Sequence, residues 1–230
     1  MESEASAARA DQARLAHELR HLGRLYPVLA HDLHAFLNTM VLNLELLQRA
    51  ASRPDLDAEA ASRIRKYAAL VAEEIPPLDR MLKAVVGQMR LADPPTKRFD
   101  FRTLCEELAI VFGSYSRHRR VAVRTTLADV PMNVDGDRDA VAHALTSLLL
   151  AAIDALPEGT PLAFTLQAGR HEAVLTVAAE SAAPIPWLLE PASEPVTIAR
   201  EILERHAARL NFSSETVRLE IELPLAPLAA

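Results

Sequence analysis

Histidine is the side chain best suited to moving a proton or a small group near neutral pH, and this 230-residue chain carries eight. His17 and His21 stand at i, i+4, and His31 and His34 at i, i+3. Both spacings put two imidazoles on one helix face and could begin a metal site. No third ligand follows either pair, so histidines on a solvated face are the simpler expectation. Asp135 and Asp137 flank Gly136 as at the start of a calcium loop, but the remaining ligands do not follow. A turn and an N-terminal helix cap account for them better. The single cysteine, Cys105, excludes a disulfide framework and any multi-cysteine zinc site. Ser114-Tyr115-Ser116-Arg117-His118-Arg119-Arg120 is the one basic cluster, expected as a solvated loop before a strand. Glycine is the scarce residue. There are six, where average usage would give about sixteen, and none form a GxG. A Walker loop, a Rossmann fingerprint and a protein-kinase glycine loop are thereby excluded.

Two kinds of periodicity must position these groups. Leu15, Leu19, Leu22, Tyr26, Leu29, Leu33, Phe36, Met40, Leu44 and Leu47 recur in steps of three and four, an a/d repeat predicting one long helix. With Leu29 at d and Leu33 at a, His31 falls at f, away from the seam. Ser52-Arg53-Pro54-Asp55 breaks the repeat. A second helix is expected from about residue 57 to 91, kinked or split by Pro76-Pro77. One hairpin cannot bury both apolar faces, so a homodimer completing a four-helix bundle is expected.

After Asp93-Pro94-Pro95-Thr96 the pattern changes. Helices are expected over 101–114, 137–156 and 195–210. Strands are expected over 121–127, 162–167, 173–177 and 217–223. The fold class is therefore α+β: a long helical hairpin over 1–93, then a two-layer α/β sandwich over 97–230. A net charge of −6 argues against nucleic acid as the main partner. No apolar run reaches the roughly eighteen residues of a membrane span. The polar first residues hold no signal core, and the expected setting is cytoplasmic.

Leu29-Ala30-His31-Asp32-Leu33, with Leu37-Asn38 and Leu44-Glu45-Leu46-Leu47 after it, resembles the H-box of bacterial two-component histidine kinases. Asp137-Arg138 through Glu158-Gly159 is similar to the N-box helix of that family's ATP-binding domain. Residues 198–206 are similar to its last helix, and 219–224 to its closing strand. The resemblance implies that the hairpin is the dimerisation and phosphotransfer part and that residues 97–230 form the ATPase-like part. His31 is implied as the phospho-acceptor, with Asp32 orienting its imidazole as a general base. Leu37 and Asn38 are implied at the surface where a partner docks.

The ATP-binding positions depart from the family pattern. Ser147 and Ala151 stand where N-box asparagines are expected, and alanine offers Mg²⁺ no oxygen. Glu180 and Ala182 occupy the first glycine-rich loop, and Glu194-Pro195 the second. A proline has no N–H to give a phosphate. Trp187 lies where the ATP lid is shortened. Ala35 replaces the Asn or Thr by which related kinases orient water, and Phe36 replaces their usual proline. The resemblance is therefore to a degenerate kinase domain without ATP binding, as in the histidine phosphotransferases of phosphorelays. It implies no cofactor, with Mg²⁺ supplied by a partner. The implied partners are response-regulator receiver domains and, in one arrangement, a histidine kinase, with neither nucleic acid nor membrane. The alternative is a phosphorylation-independent pseudokinase adaptor, in which His31 has no chemistry.

Overall fold

A computed structural model describes residues 2–51, 58–88, 98–179, 194–213 and 217–227. Helix α1 spans Glu2–Ala51, and α2, Ala58–Gln88, packs back along it to form the hairpin. Helix α2 runs unbroken through Pro76 and Pro77, so of the expected kink or split the split does not occur. The residues one turn earlier, Ala72 and Glu73, are exposed, so water can take the hydrogen bonds that the prolines remove. Residues 89–97, including the Asp93–Thr96 break, lie outside the described residues.

The second half opens with β1 (Arg98–Asp100), α3 (Phe101–His118), β2 (Ala122–Leu127) and β3 (Asn133–Asp135). Next come α4 (Arg138–Ala155), β4 (Pro161–Ala168) and β5 (Glu172–Ala179). After residues 180–193, outside the described set, come α5 (Glu194–Arg205), β6 (Arg209–Ser213) and β7 (Val217–Pro224). Strands β2-β4-β5-β7-β6 make a five-stranded sheet, parallel only at β2–β4. Strands β1 and β3 form a separate antiparallel pair. The hairpin-plus-α/β class expected from the sequence is the class observed.

Alternation along β4, β5 and β7 buries Leu162, Phe164, Leu166, Leu175, Val177 and Ile221 in one core with the helices. Helix α4 packs against both α3 and α5. It is apolar nearly all round, as a helix with neighbours on most sides must be. Asp137 caps it, accepting from the backbone N–H of Asp139 and Ala140 at 3.0 Å each. The turn-and-cap reading of Asp135-Gly136-Asp137 is the observed one. Asp100 caps α3 and binds the Met132 N–H at 2.8 Å, fastening the β1–β3 pair to the helix start. Burial against apolar neighbours pushes the Cys105 thiol far up, leaving it an inert core side chain.

Helix α3 runs four residues past its expected end, to His118. The expected helix 195–210 instead stops at Arg205, and Arg209–Ser213 pairs with β7 as an edge strand. Both helices end in the same closure. Val121 N–H reaches the Ser116 carbonyl at 2.8 Å and Arg120 N–H reaches Arg117 at 3.1 Å. Likewise Ala208 N–H reaches Leu203 and Ala207 N–H reaches Glu204, each at 3.0 Å. These are Schellman caps, whose left-handed residue is usually glycine. Here it is Arg120 (φ 55°) and Ala207 (φ 54°).

The hairpin is not a separate body. Leu25, Val28 and Leu29 of α1 and Met81, Ala84 and Val85 of α2 are buried in the same core as α3 and α4. Tyr26, Leu33 and Phe36 pack on its edge. Among the described side chains of α1, the deepest burial therefore faces the α/β half. By contrast Leu44, an expected seam residue, is 43% exposed.

Candidate functional site

His31 lies on α1 just beyond the buried Val28-Leu29 turn that docks the helix on the α/β half. Its side chain is 82% exposed, whereas that of the next residue, Asp32, is 21% exposed. The imidazole projects into solvent and the carboxylate sinks between α1 and the last turn of α3.

Three groups converge on that carboxylate. His31 Nδ1 lies 3.3 Å from Asp32 Oδ1. A carboxylate can only accept, so the shared proton is assigned to Nδ1, and Nε2 keeps its lone pair. Arg117 donates from Nη2 to Asp32 Oδ2 at 2.7 Å, and the same Nη2 donates to Ser114 Oγ at 3.1 Å. Ser114, almost fully buried, also hydrogen-bonds Asp32. Partial burial works to raise the Asp32 carboxyl. The hydrogen bonds from Ser114, Arg117 and His31, with the Arg117 charge, outweigh it and hold the group below the usual aspartate range.

Helix α3 can present these groups because its C-terminal end is tied down. Tyr115 donates its hydroxyl to Asp154 Oδ1 of α4 at 2.7 Å, and Arg119 pairs with the same oxygen at 3.2 Å. Ser114-Tyr115-Ser116 are buried and helical, which corrects the expected loop there, while Arg117 to Arg120 are exposed as expected. Arg117 and Ser114 belong to the basic cluster, and nothing local ties them to His31, which lies more than eighty residues away. The available signal was Tyr115, which continues the apolar stripe of Leu104, Leu108 and Val111 past the expected helix end.

Leu37 and Asn38 are both exposed on α1. Asn38 is seven residues after His31, two turns along the same face, while Leu37 lies one position before it. His34 is exposed on this face too. Among the described residues no group of three or more His, Cys, Asp or Glu side chains could hold a metal ion. His17 and His21 fall within α1, where their side chains lie outside the described residues.

The positions matched to nucleotide binding are scattered in character. Ser147 is wholly buried on α4, its hydroxyl donating to the His143 carbonyl at 3.0 Å. Ala151, one turn on, is half-buried. Pro195 sits in the first turn of α5, where a missing N–H costs nothing. Glu194 opens that helix, its side chain outside the described set. Glu180, Ala182 and Trp187 lie outside the described residues. Among the described residues, no helix is long and apolar enough to cross a membrane.

The chain is similar to the catalytic domain of histidine kinase ThkA, at 21% identity and a TM-score of 0.49, over 57% of this chain and 97% of that one. It is similar to the Acinetobacter baumannii histidine kinase AdeS at 13% identity and a TM-score of 0.47, covering 86% and 98%. A bacterial phosphotransferase is similar at 15% identity and a TM-score of 0.44, covering 89% and 95%. No protein-family model matches the chain, and no curated protein matches it.

Proposed function

We propose that the chain is a histidine phosphotransferase of a bacterial phosphorelay, exchanging a phosphoryl group between response-regulator aspartates through His31. One observation carries this reading: an imidazole projecting into solvent whose Nδ1 is engaged by an ionised carboxylate. Nε2 is then the nucleophile. It attacks the phosphorus of a receiver's aspartyl phosphate, the N–P bond forms as the O–P bond breaks, and the freed carboxylate departs with the receiver. The ring becomes cationic and keeps its Nδ1 proton, which Asp32 holds while balancing the new charge. Return to a second receiver reverses each step. Positioning and charge neutralisation dominate such transfers, and the receiver's own Mg²⁺ would supply the latter.

Asn38 and Leu37 would meet the receiver beside His31. Val41 and Leu44, at i and i+3 on α1, and Ile75 and Leu82 on α2 are exposed apolar side chains. A second copy of the hairpin would cover them as a four-helix bundle. ATP plays no part in this reading, because Ser147 is buried and Ala151 has no side-chain oxygen to offer Mg²⁺.

The test incubates the chain with a receiver carrying radiolabelled aspartyl phosphate. Label is expected on the wild type and not on His31→Gln, with no heat of binding on titration of millimolar Mg-ATP. Absence of label from every receiver of the same cell would overturn the relay and leave the adaptor reading.

A further inference from the structure

Arg117 belongs to the α/β half, yet it ends at the histidine of the hairpin. It and Ser114 stand at i, i+3 on the last turn of α3, so both face α1 from the same side. The 2.7 Å bond to Asp32 Oδ2 leaves Oδ1 as the oxygen that meets His31. The Arg117 side chain is 67% exposed, but its partner Asp32 is only 21% exposed and sits next to a packed turn. Val28 and Leu29, one turn earlier, share a core with Leu104, Leu108 and Phe112 of α3. At the other end Tyr115 and Arg119 anchor α3 to Asp154. Neighbouring side chains on a helix diverge by about 100°, so Asp32 would not meet His31 unless something turned it. Arg117 is the charged group that does so.

We propose that Arg117 is a positioning residue for His31, acting through Asp32 to select the Nδ1–H tautomer that leaves Nε2 free to attack. The α/β half then has a working role that does not involve nucleotide: it supplies one arm of the site. Ser114 buttresses the guanidinium from inside the helix. One nitrogen, Nη2, makes both contacts, to Asp32 Oδ2 and to Ser114 Oγ, so a single cationic donor at that point holds the carboxylate. This inference rests on the phosphotransferase reading for its consequence, though not for its geometry.

Two measurements on full-length protein separate the two ideas. In long-range ¹H–¹⁵N spectra of histidine-labelled protein with neutral imidazoles, wild-type His31 is expected in the Nδ1–H form. Arg117→Ala should shift it toward Nε2–H, while Arg117→Lys should retain most of the wild-type form. Ser114→Ala should act in the same direction as Arg117→Ala, more weakly. In receiver transfer, Arg117→Ala should lower the rate by about 10- to 100-fold at saturating receiver, with KM unchanged, and Arg117→Lys should restore much of it. An unchanged tautomer in Arg117→Ala overturns the positioning role, whatever the transfer assay shows. A changed tautomer in a protein that takes no label supports the positioning and overturns only the relay.

Discussion

Asp32 and His31 are consecutive on α1, yet their side chains meet at 3.3 Å because Asp32 is drawn toward α3 and His31 is left in solvent. The carboxyl is held below its ordinary value of 3.8 in the folded chain. A depressed folded value means that the stabilisation is complete above the unfolded value and is lost as pH falls through the folded one. We expect the urea midpoint to fall below about pH 4 in the wild type. Asp32→Asn, with no carboxylate to protonate, should show a shallower acid limb. Parallel curves for the two proteins would contradict the assignment.

Gly136 is required by His206. The His206 ring, at the end of α5, accepts the Asp137 N–H on Nε2 at 2.9 Å and donates from Nδ1 to the Ile202 carbonyl at 2.8 Å. A Cβ at Gly136 (φ 155°) would lie 2.2 Å from His206 Cδ2. Gly136→Ala should cost about 1–3 kcal/mol in urea unfolding. The cost should shrink in a His206→Ala background, a double-mutant cycle that isolates the clash.

Ala207 occupies a left-handed cap that glycine fills without strain. Ala207→Gly should therefore raise stability by about 1 kcal/mol despite the extra freedom of the unfolded chain. Thermal melts of the two proteins check this. A drop in melting temperature would mean that the Ala207 methyl makes packing contacts that outweigh the strain.

The exposed apolar side chains of the hairpin make the dimer testable. Val41 is 54% exposed and Leu44 43%. The double substitution Val41→Glu, Leu44→Glu should convert a dimer to a monomer in light scattering while leaving the circular dichroism of the fold intact. Wild-type protein that remains monomeric at micromolar concentrations would remove the bundle from the account.

How far the sequence revealed these features depended on how local their causes were. The f position of His31 follows from a repeat visible along α1, and the cap at Asp137 from three adjacent residues. The end of α5 did not follow, because Ala207 gives no glycine signal for a turn that it nonetheless makes. For the same reason the expected helix overlaps the first two residues of the β6 strand, Arg209 and Leu210. The partners of Asp32 were hidden for another reason. Arg117 and Ser114 reach it only because Val28 and Leu29 turn out to be core residues of the α/β half, whereas the heptad places Leu29 in a bundle seam. A pattern on one helix shows which residues are apolar, and not which neighbour will cover them. The scarcity of glycine was readable at once, and it has a structural echo in two helix caps built without it.

The most direct test of the central claim is the chemical position of the phosphoryl group. ³¹P NMR of the chain after incubation with a phosphorylated receiver is expected to show one phosphoimidazole resonance, coupled through Nε2 of His31 and absent in His31→Gln. A resonance from Nδ1, or one that survives His31→Gln, would contradict the account.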